Sequence, residues 1–323
     1  MQREDEPSGA GRGASPGPAG DGGPKAATTR CGFVAILGSP NVGKSTLVNR
    51  LVGAKVSSVS PKVQTTRSRV LGIAIVGSSQ ILLVDTPGLF QPRRGLDRAM
   101  VDAAWQGASG ADQVALVVDS MRGSDAGAER AIEWLRTRQR RGILVLNKVD
   151  AVAKPRLLAL ARDLDATGAF GRVFMVSALT GDGVADLAGW LARSVPPGPW
   201  LYPEDEVSDM PARLLAAEIT REKLFWRLQQ ELPYSVAVET ESWTQAKDGS
   251  ARLEQVIYVE REGQRGIVIG KGGQQLKRIG EMARKEMQDA FACRVHLFLV
   301  VKVREKWRED PVFLRLHGLA LRE

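Results

Sequence analysis

Cysteine and histidine are nearly absent from this 323-residue chain, with two of each. Cys31 and Cys293 cannot build a disulfide framework or a four-ligand zinc site, so a reducing, cytoplasmic setting is expected. Two histidines leave too few ligands for a His-rich metal site. Long apolar runs are missing as well. Runs such as Val114–Val118, Gly142–Leu146 and Leu297–Val301 have strand length and fall short of the roughly 18 to 20 residues of a membrane helix, so an integral membrane protein is not expected. What remains is a globular balance, 43% hydrophobic and 25% charged. The net charge of +8 favours a polyanionic partner, and the length fits two domains.

Residues 1–30 are rich in Gly, Pro, Ala and Ser and read as a disordered tail. Four basic residues there balance four acidic ones, and neither a secretory signal nor a mitochondrial transit peptide fits the segment. Over residues 31–195 short apolar strands (Phe33–Leu37, Leu71–Val76, Ile81–Asp85, Val114–Asp119, Ile143–Asn147, Val173–Ser177) alternate with helical segments. That alternation predicts an α/β domain: a mostly parallel sheet with helices on both faces, one edge made antiparallel by a hairpin at Gly77-Ser78-Ser79. Residues 196–210, opening Pro196-Pro197-Gly198-Pro199, read as a linker or a clamp. Residues 211–323 change order: helix Ala212–Gln230, strand Tyr234–Glu241, strand Leu253–Glu260, a short helical turn, helix Gln274–Ala290 and strand Val295–Val303. This is a smaller α+β domain.

Gly38-Ser39-Pro40-Asn41-Val42-Gly43-Lys44-Ser45 follows a strand and opens a helix, the context a phosphate loop requires. Its glycines turn backbone N–H groups inward, Lys44 reaches the β/γ-phosphates and the Ser45 hydroxyl takes one Mg²⁺ position. The nucleotide-binding set here is Gly38, Ser39, Asn41, Val42, Gly43, Lys44, Ser45 and Thr46. Further on, Asp85-Thr86-Pro87-Gly88 ends an apolar strand; Asp85 can hold Mg²⁺ through water and the Gly88 N–H can sense a γ-phosphate. Asn147-Lys148-Val149-Asp150 closes another strand. The Asp150 carboxylate can accept from guanine N1–H and the exocyclic amine, a donor pair that adenine lacks. Lys148 can lay its alkyl stem over the base, Asn147 can bond to the base and tie the loops together, and the Ser177-Ala178-Leu179 strand end can offer a backbone N–H to guanine O6. GTP and GDP are the expected ligands.

These motifs resemble those of the GTPase superfamily over residues 31–195. The resemblance implies that Gln64-Thr65-Thr66-Arg67 is an effector loop whose threonine, Thr66 or else Thr65, closes on Mg²⁺ and γ-phosphate. Lys44, Thr66 and Gly88 then form the catalytic set. The water-orienting glutamine is missing: Leu89 and Phe90 follow the Asp-x-x-Gly turn, which predicts slow intrinsic hydrolysis. Asn41 has two readings, a ligand to a K⁺ ion that replaces an arginine finger, as in relatives with this loop, or a polar residue bonded to backbone. Arg67, Arg69, Arg93 and Arg94 read as solvated surface charge.

In the second domain Gly270-Lys271-Gly272-Gly273 fits the GxxG loop of a KH domain, where absent side chains let a nucleic-acid backbone approach. The α-β-β-α-α-β order is the bacterial, type II KH topology. From Arg261 to Arg308 there are 12 basic and 5 acidic residues, with the excess expected around the glycine loop and the last strand. Ile267, Gly270, Lys271, Gly272, Gly273, Lys277 and Arg278 are the RNA-binding candidates, and Ile267, Ile269 and Val295–Leu299 are a candidate wall for unstacked bases.

A phosphate-loop GTPase joined to such a KH domain resembles the Era family. Gln64-Thr65-Thr66-Arg67, Arg221-Glu222-Lys223, Glu231-Leu232-Pro233-Tyr234-Ser235-Val236 and Val259-Glu260-Arg261-Glu262-Gly263-Gln264 match nearly as words. The resemblance implies a monomeric assembly factor of the small ribosomal subunit that holds the single-stranded 3′ end of 16S rRNA when GTP is bound. An RNA-binding scaffold with incidental turnover, or a GTPase peripheral to the inner membrane face, are the alternatives.

Overall fold

The computed structural model describes residues 29–310 apart from 61, 63, 64, 68, 93, 94, 308 and 309. Of the tail expected over residues 1–30, residues 1–28 lie outside the described residues, as do Gln64, Arg93, Arg94, Arg308 and residues 311–323; Thr29 and Arg30 are ordered instead, Arg30 opening the first strand and Thr29 bonding to Gly198 O.

The first half builds β1 (Arg30–Leu37), α1 (Lys44–Val52), β2 (Val70–Val76), β3 (Ser79–Asp85), α2 (Gly95–Ser109), β4 (Gln113–Asp119), α3 (Ala126–Thr137), β5 (Gly142–Asn147), α4 (Lys154–Asp165), β6 (Phe170–Val176) and α5 (Val184–Ser194). The strands form one six-stranded sheet in the order β2-β3-β1-β4-β5-β6. Only the β2–β3 hairpin is antiparallel. Because the strands are apolar on both faces, they need cover on both. One core places Val34, Ile36, Leu83 and Val145 against α1 and α5, and the other places Ala35, Leu116, Val118 and Leu144 against α2, α3 and α4.

Residues 196–210 act as the clamp rather than a free linker. Trp200 and Tyr202 pack on a cluster of Cys31, Leu71, Ile73, Leu82 and Val84. Val207 accepts from the Ile73 N–H at 2.9 Å, and Ser208 Oγ donates to the Leu71 carbonyl at 2.6 Å. The strap thus covers the edge of β2, which otherwise presents unpaired backbone groups. Buried Gln80 is satisfied by it, donating to Tyr202 O at 2.8 Å and accepting from Leu201 N at 2.9 Å.

The second half comprises α6 (Ala212–Arg227), β7 (Ala237–Gln245), β8 (Ala251–Val259), α7 (Glu262–Ile269), α8 (Gln274–Phe291) and β9 (Val295–Val303). Its sheet has the order β7-β8-β9, with β8 and β9 parallel. Two boundaries differ from the sequence reading. The first helix stops at Arg227, because Leu228 turns extended to enter the core and Gln230 takes a positive φ of 53°. The next strand starts at Ala237, since Leu232–Ser235 form a 3₁₀ turn around Pro233.

Candidate functional site

Parallel pairing brings the C-terminal strand ends to one rim, the usual ligand side of such a sheet. Ile36 is level with Asp85, Asp119 with Asn147, and Asn147 with Val176. The loop after β1 turns with Gly38 at φ 145°, Asn41 at 65° and Gly43 at 99°. A Cβ on Gly43 would stand 2.2 Å from Asn147 Nδ2, so this position has no room for one. Val42 is buried in the α1-side core, and Thr46 follows Ser45 in the first turn of α1. Gly88 lies against the same loop, where an added Cβ would sit 2.7 Å from Pro40.

Lys44 Nζ donates to the Gly38 and Ser39 carbonyls, both at 3.0 Å. Burial pushes its ammonium down to about 8, with Asp85 and Asp125 opposing the shift. Ser45 Oγ donates to Asp85 Oδ2 at 2.6 Å and meets Thr66 Oγ1 at 2.9 Å. Asp85 is fully buried, and its Oδ1 has no hydrogen-bond partner. Burial raises its pKa, against the pull of Lys44, Ser45 and Thr66. Two hydroxyls beside a carboxylate with one unsatisfied oxygen suit a hard divalent cation. The two candidate threonines separate cleanly. Thr66 joins this cluster, whereas Thr65 Oγ1 turns back to Ser60 Oγ at 2.6 Å and the Lys62 carbonyl at 2.9 Å.

At the base end, Asn147 Nδ2 donates to Val42 O at 2.8 Å and Oδ1 accepts from Ala178 N at 2.9 Å. Asn147 therefore ties the phosphate loop to the Ser177-Ala178 loop, and of the backbone N–H groups in the Ser177-Ala178-Leu179 stretch that of Ala178 is engaged with Asn147. Ser177 is buried, its Oγ accepting from Thr180 N at 3.1 Å. Lys148, at φ 66°, donates to Asn41 O at 2.9 Å and Asp119 Oδ2 at 2.7 Å. Asp150 stands exposed on a 3₁₀ turn.

Asp119 and Asp125 were missed as part of this architecture, and Leu89 was singled out only for the glutamine it replaces. Asp119 fixes Lys148; its signal was a carboxylate at the C-terminal end of β4. Asp125 caps α3 and accepts from Ser39 Oγ at 2.5 Å, so the Ser39 side chain serves the loop's own scaffold. Leu89 is only 1% exposed and belongs to the same core cluster as Leu37, Leu116 and Ala128, while its N–H donates to Gly38 O at 3.0 Å. The position after the Asp-x-x-Gly turn thus faces the core. One reading is corrected: Arg67 is not solvated charge. Its guanidinium donates to the carbonyls of Val236 at 3.0 Å and Tyr234 at 3.2 Å and lies over the Phe225 and Trp307 rings.

In the second half, Gly270, Gly272 and Gly273 all have positive φ, at 72°, 58° and 75°. A Cβ on Gly272 or Gly273 would meet nothing within 4 Å, so that face of the loop is open. Lys271, Lys277 and Arg278 are exposed beside it, and Ile267 is 60% exposed. Val268 is core, and Ile269, Leu276 and Leu299 pack against the same cluster. The Gln264 side chain starts α7 by accepting from Glu260 N at 2.8 Å and Arg261 N at 3.2 Å. The charge distribution also needs correction. Odd residues of β9 pack on the helices, so Lys302 lies on the opposite face, paired with Glu241 at 2.9 Å; Arg304 pairs with Asp310 and lies over Tyr258. Neither adds to the glycine-loop surface.

A family model described as 50S ribosome-binding GTPase matches residues 33–148, and one described as KH domain matches residues 231–308. The fold and the site define a phosphate-loop GTPase that carries a KH domain. The chain is 58% identical to GTPase Era of Rhizobium meliloti over 294 residues, covering 91% of this chain and 94% of that protein. It is 57% identical to GTPase Era of Brucella suis over 302 residues, covering 94% and 97%. The crystal structure of Era in complex with MgGDPNP and nucleotides 1506–1542 of 16S ribosomal RNA superposes with a TM-score of 0.85 at 37% identity, covering 91% of this chain and 100% of that one. An Aquifex aeolicus Era variant bound to GDP·AlF₄⁻ gives 0.85 at 38% identity with the same coverage. This chain belongs to the Era GTPase family and hydrolyses GTP. Among the described residues no helix is long and apolar enough to cross a membrane.

Proposed function

We propose that the chain is a GTP-controlled RNA-binding switch acting in small ribosomal subunit assembly, with the single-stranded 3′ end of 16S rRNA as its RNA ligand. GTP and GDP occupy the rim built by residues 38–46, 85–88, 147–150 and 177–178. Lys44, Thr66 and Gly88 serve the γ-phosphate, and Asp150 reads guanine. Ser45, Thr66 and Asp85 fit Mg²⁺, which when bound neutralises phosphate charge. Ile267, the Gly270–Gly273 loop, Lys277 and Arg278 take the RNA.

The observation that carries this reading is the contact of Thr66 with Ser45 and Asp85 in a loop whose neighbouring residues rest on the KH half. Gain or loss of a γ-phosphate ligand is thereby felt in the half that bears the glycine loop. The Era complex with MgGDPNP and a 16S rRNA fragment lends the RNA assignment independent support. Leu89 faces the core, so no side chain at that position orients water; slow turnover, and K⁺ at Asn41, belong to the same reading. The chain is read as a monomer.

The test is RNA affinity of the full chain with a GTP analogue, with GDP and with no nucleotide, beside Thr66→Ala. Tighter binding with the analogue, lost in Thr66→Ala, is expected; equal affinity in all three states would reduce the chain to a scaffold. Replacing K⁺ by Na⁺ should slow hydrolysis. Preference for anionic vesicles over the rRNA fragment at physiological salt would favour a membrane-peripheral role instead.

A further inference from the structure

Three stretches that are distant in sequence meet on one side of α6: residues 65–67, residues 221–223 and residues 233–236. Arg221 Nη2 donates to the Thr65 carbonyl, and Nε donates to Glu218 Oε1 at 2.8 Å. On the far side of Thr66, the Arg67 guanidinium reaches Val236 O and Tyr234 O, as well as Pro233 O at 3.5 Å. The buried Phe225 ring lies 5.3 Å from the Arg221 guanidinium carbon and 5.7 Å from that of Arg67. Upstream, the same loop is held again. Val59 N donates to Glu222 Oε2 at 2.8 Å, and Ser58 Oγ to Glu218 O at 3.1 Å. Lys55 Nζ reaches Glu222 at 2.6 Å and also contacts Glu286 of α8.

Both neighbours of Thr66 are therefore fastened to the rear half, while the Thr66 hydroxyl meets Ser45. Ordering each loop residue costs roughly 1–2 kcal/mol. Here the interface offsets that cost, so the nucleotide need not bear all of it. Arg221 is 2% exposed, and its bond to Thr65 O is charge-assisted, the stronger kind.

We propose that Arg221 and Arg67 are positioning residues for GTP hydrolysis: from either side of Thr66 they hold the loop on α6 and the following turn, and so set the Thr66 hydroxyl at Ser45 and Asp85. This rests on the reading of Thr66 as a ligand for metal and γ-phosphate. It makes the KH half a structural part of the GTPase site, supplying Arg221 and the carbonyls that anchor Arg67. GDP, which has no γ-phosphate, is held by the phosphate loop and the guanine reader, so its affinity is expected to be independent of both arginines.

The experiment is a double-mutant cycle in the full chain. Single-turnover GTP hydrolysis is measured against Mg²⁺ concentration, and GDP affinity alongside, for the parent, Arg221→Met, Thr66→Ala and the double variant. Met keeps an apolar stem against Phe225 while removing the donors. Arg221→Met should slow hydrolysis about tenfold or more, raise the Mg²⁺ needed for half-maximal rate and leave GDP affinity unchanged. Arg221→Lys should recover part of the rate. In the Thr66→Ala background, Arg221→Met should add nothing.

A parental rate for Arg221→Met, or the same fold-loss with and without Thr66, would overturn the proposal while leaving the Thr66 reading standing. A parental rate and Mg²⁺ dependence for Thr66→Ala would instead remove the Thr66 reading. If circular dichroism shows that Arg221→Met does not fold, Arg67→Lys in the same cycle decides. Lys keeps the charge, but its single ammonium cannot reproduce the planar fork that reaches these separate carbonyls from two nitrogens, so a loss of rate confined to the Thr66 background supports positioning, and an unchanged rate rejects it.

Discussion

The nucleotide rim and the glycine loop are held in opposite ways. At the rim, Lys44, Ser45, Asp85 and Asn147 are wholly or partly buried; Lys44 is bonded within its own loop, and the other three are each bonded to another motif. At the glycine loop, Lys271, Lys277, Arg278 and Ile267 stand exposed on elements whose undersides are core. The first arrangement is preorganised for one compact polyanion with a defined base. The second, on the proposed function, is a surface along which RNA affinity is distributed over several modest contacts. Single changes should therefore act sharply and specifically at the rim, and weakly and with strong salt dependence at the loop.

The largest effect should come from Lys44→Ala, which removes the buried cation proposed to serve the γ-phosphate. GTP affinity should fall by about 100-fold or more in calorimetry. Asp150→Asn should follow, weakening GTP by roughly 100-fold and admitting xanthosine triphosphate, because the base then needs the opposite hydrogen-bond polarity. Unchanged GTP affinity would remove Asp150 as the guanine reader. At the other site, Gly272→Asp should lower rRNA affinity about tenfold without changing GTP binding, since φ 58° disfavours a side chain and the new charge repels phosphate. Equal losses at both sites would blur the contrast.

Protons sharpen the comparison further. The Lys44 ammonium is held at about 8 by burial, and a bound triphosphate favours its charged form. GTP affinity should be flat below about pH 8 and fall by up to about tenfold per unit above it, as binding then takes up a proton. RNA affinity at the exposed loop should not share that break. The smallest effect belongs to Lys277→Ala, a loss of a few-fold in RNA affinity with the salt slope lowered by about 0.7.

Much of the rim was legible because phosphate loops use a fixed backbone path, and a path that needs Gly38 and Gly43 at positive φ restricts sequence tightly. The sheet was legible because doubly covered strands must be apolar runs. What escaped were side chains whose partners come from far along the chain. Gln80 looks like any polar residue in a strand until residues 201–202 supply its bonds. Arg67 looks like surface charge until the 3₁₀ turn at Leu232–Ser235 and the strand after it turn their carbonyls toward it. Lys302 and Arg304 looked like groove charge because a sum over residues ignores strand alternation, which sends them to the face away from the helices. The choice between Thr65 and Thr66 likewise waited on which hydroxyl faced Ser45.

The most direct measurement of whether the two halves form one device is reciprocal linkage. A GTP analogue and GDP are titrated into the full chain with and without the single-stranded rRNA fragment. The fragment should tighten the analogue relative to GDP by the same factor by which the analogue, relative to GDP, tightens the fragment, as thermodynamic coupling requires. Analogue and GDP affinities that ignore the RNA would contradict a switch seated on the Thr66 loop.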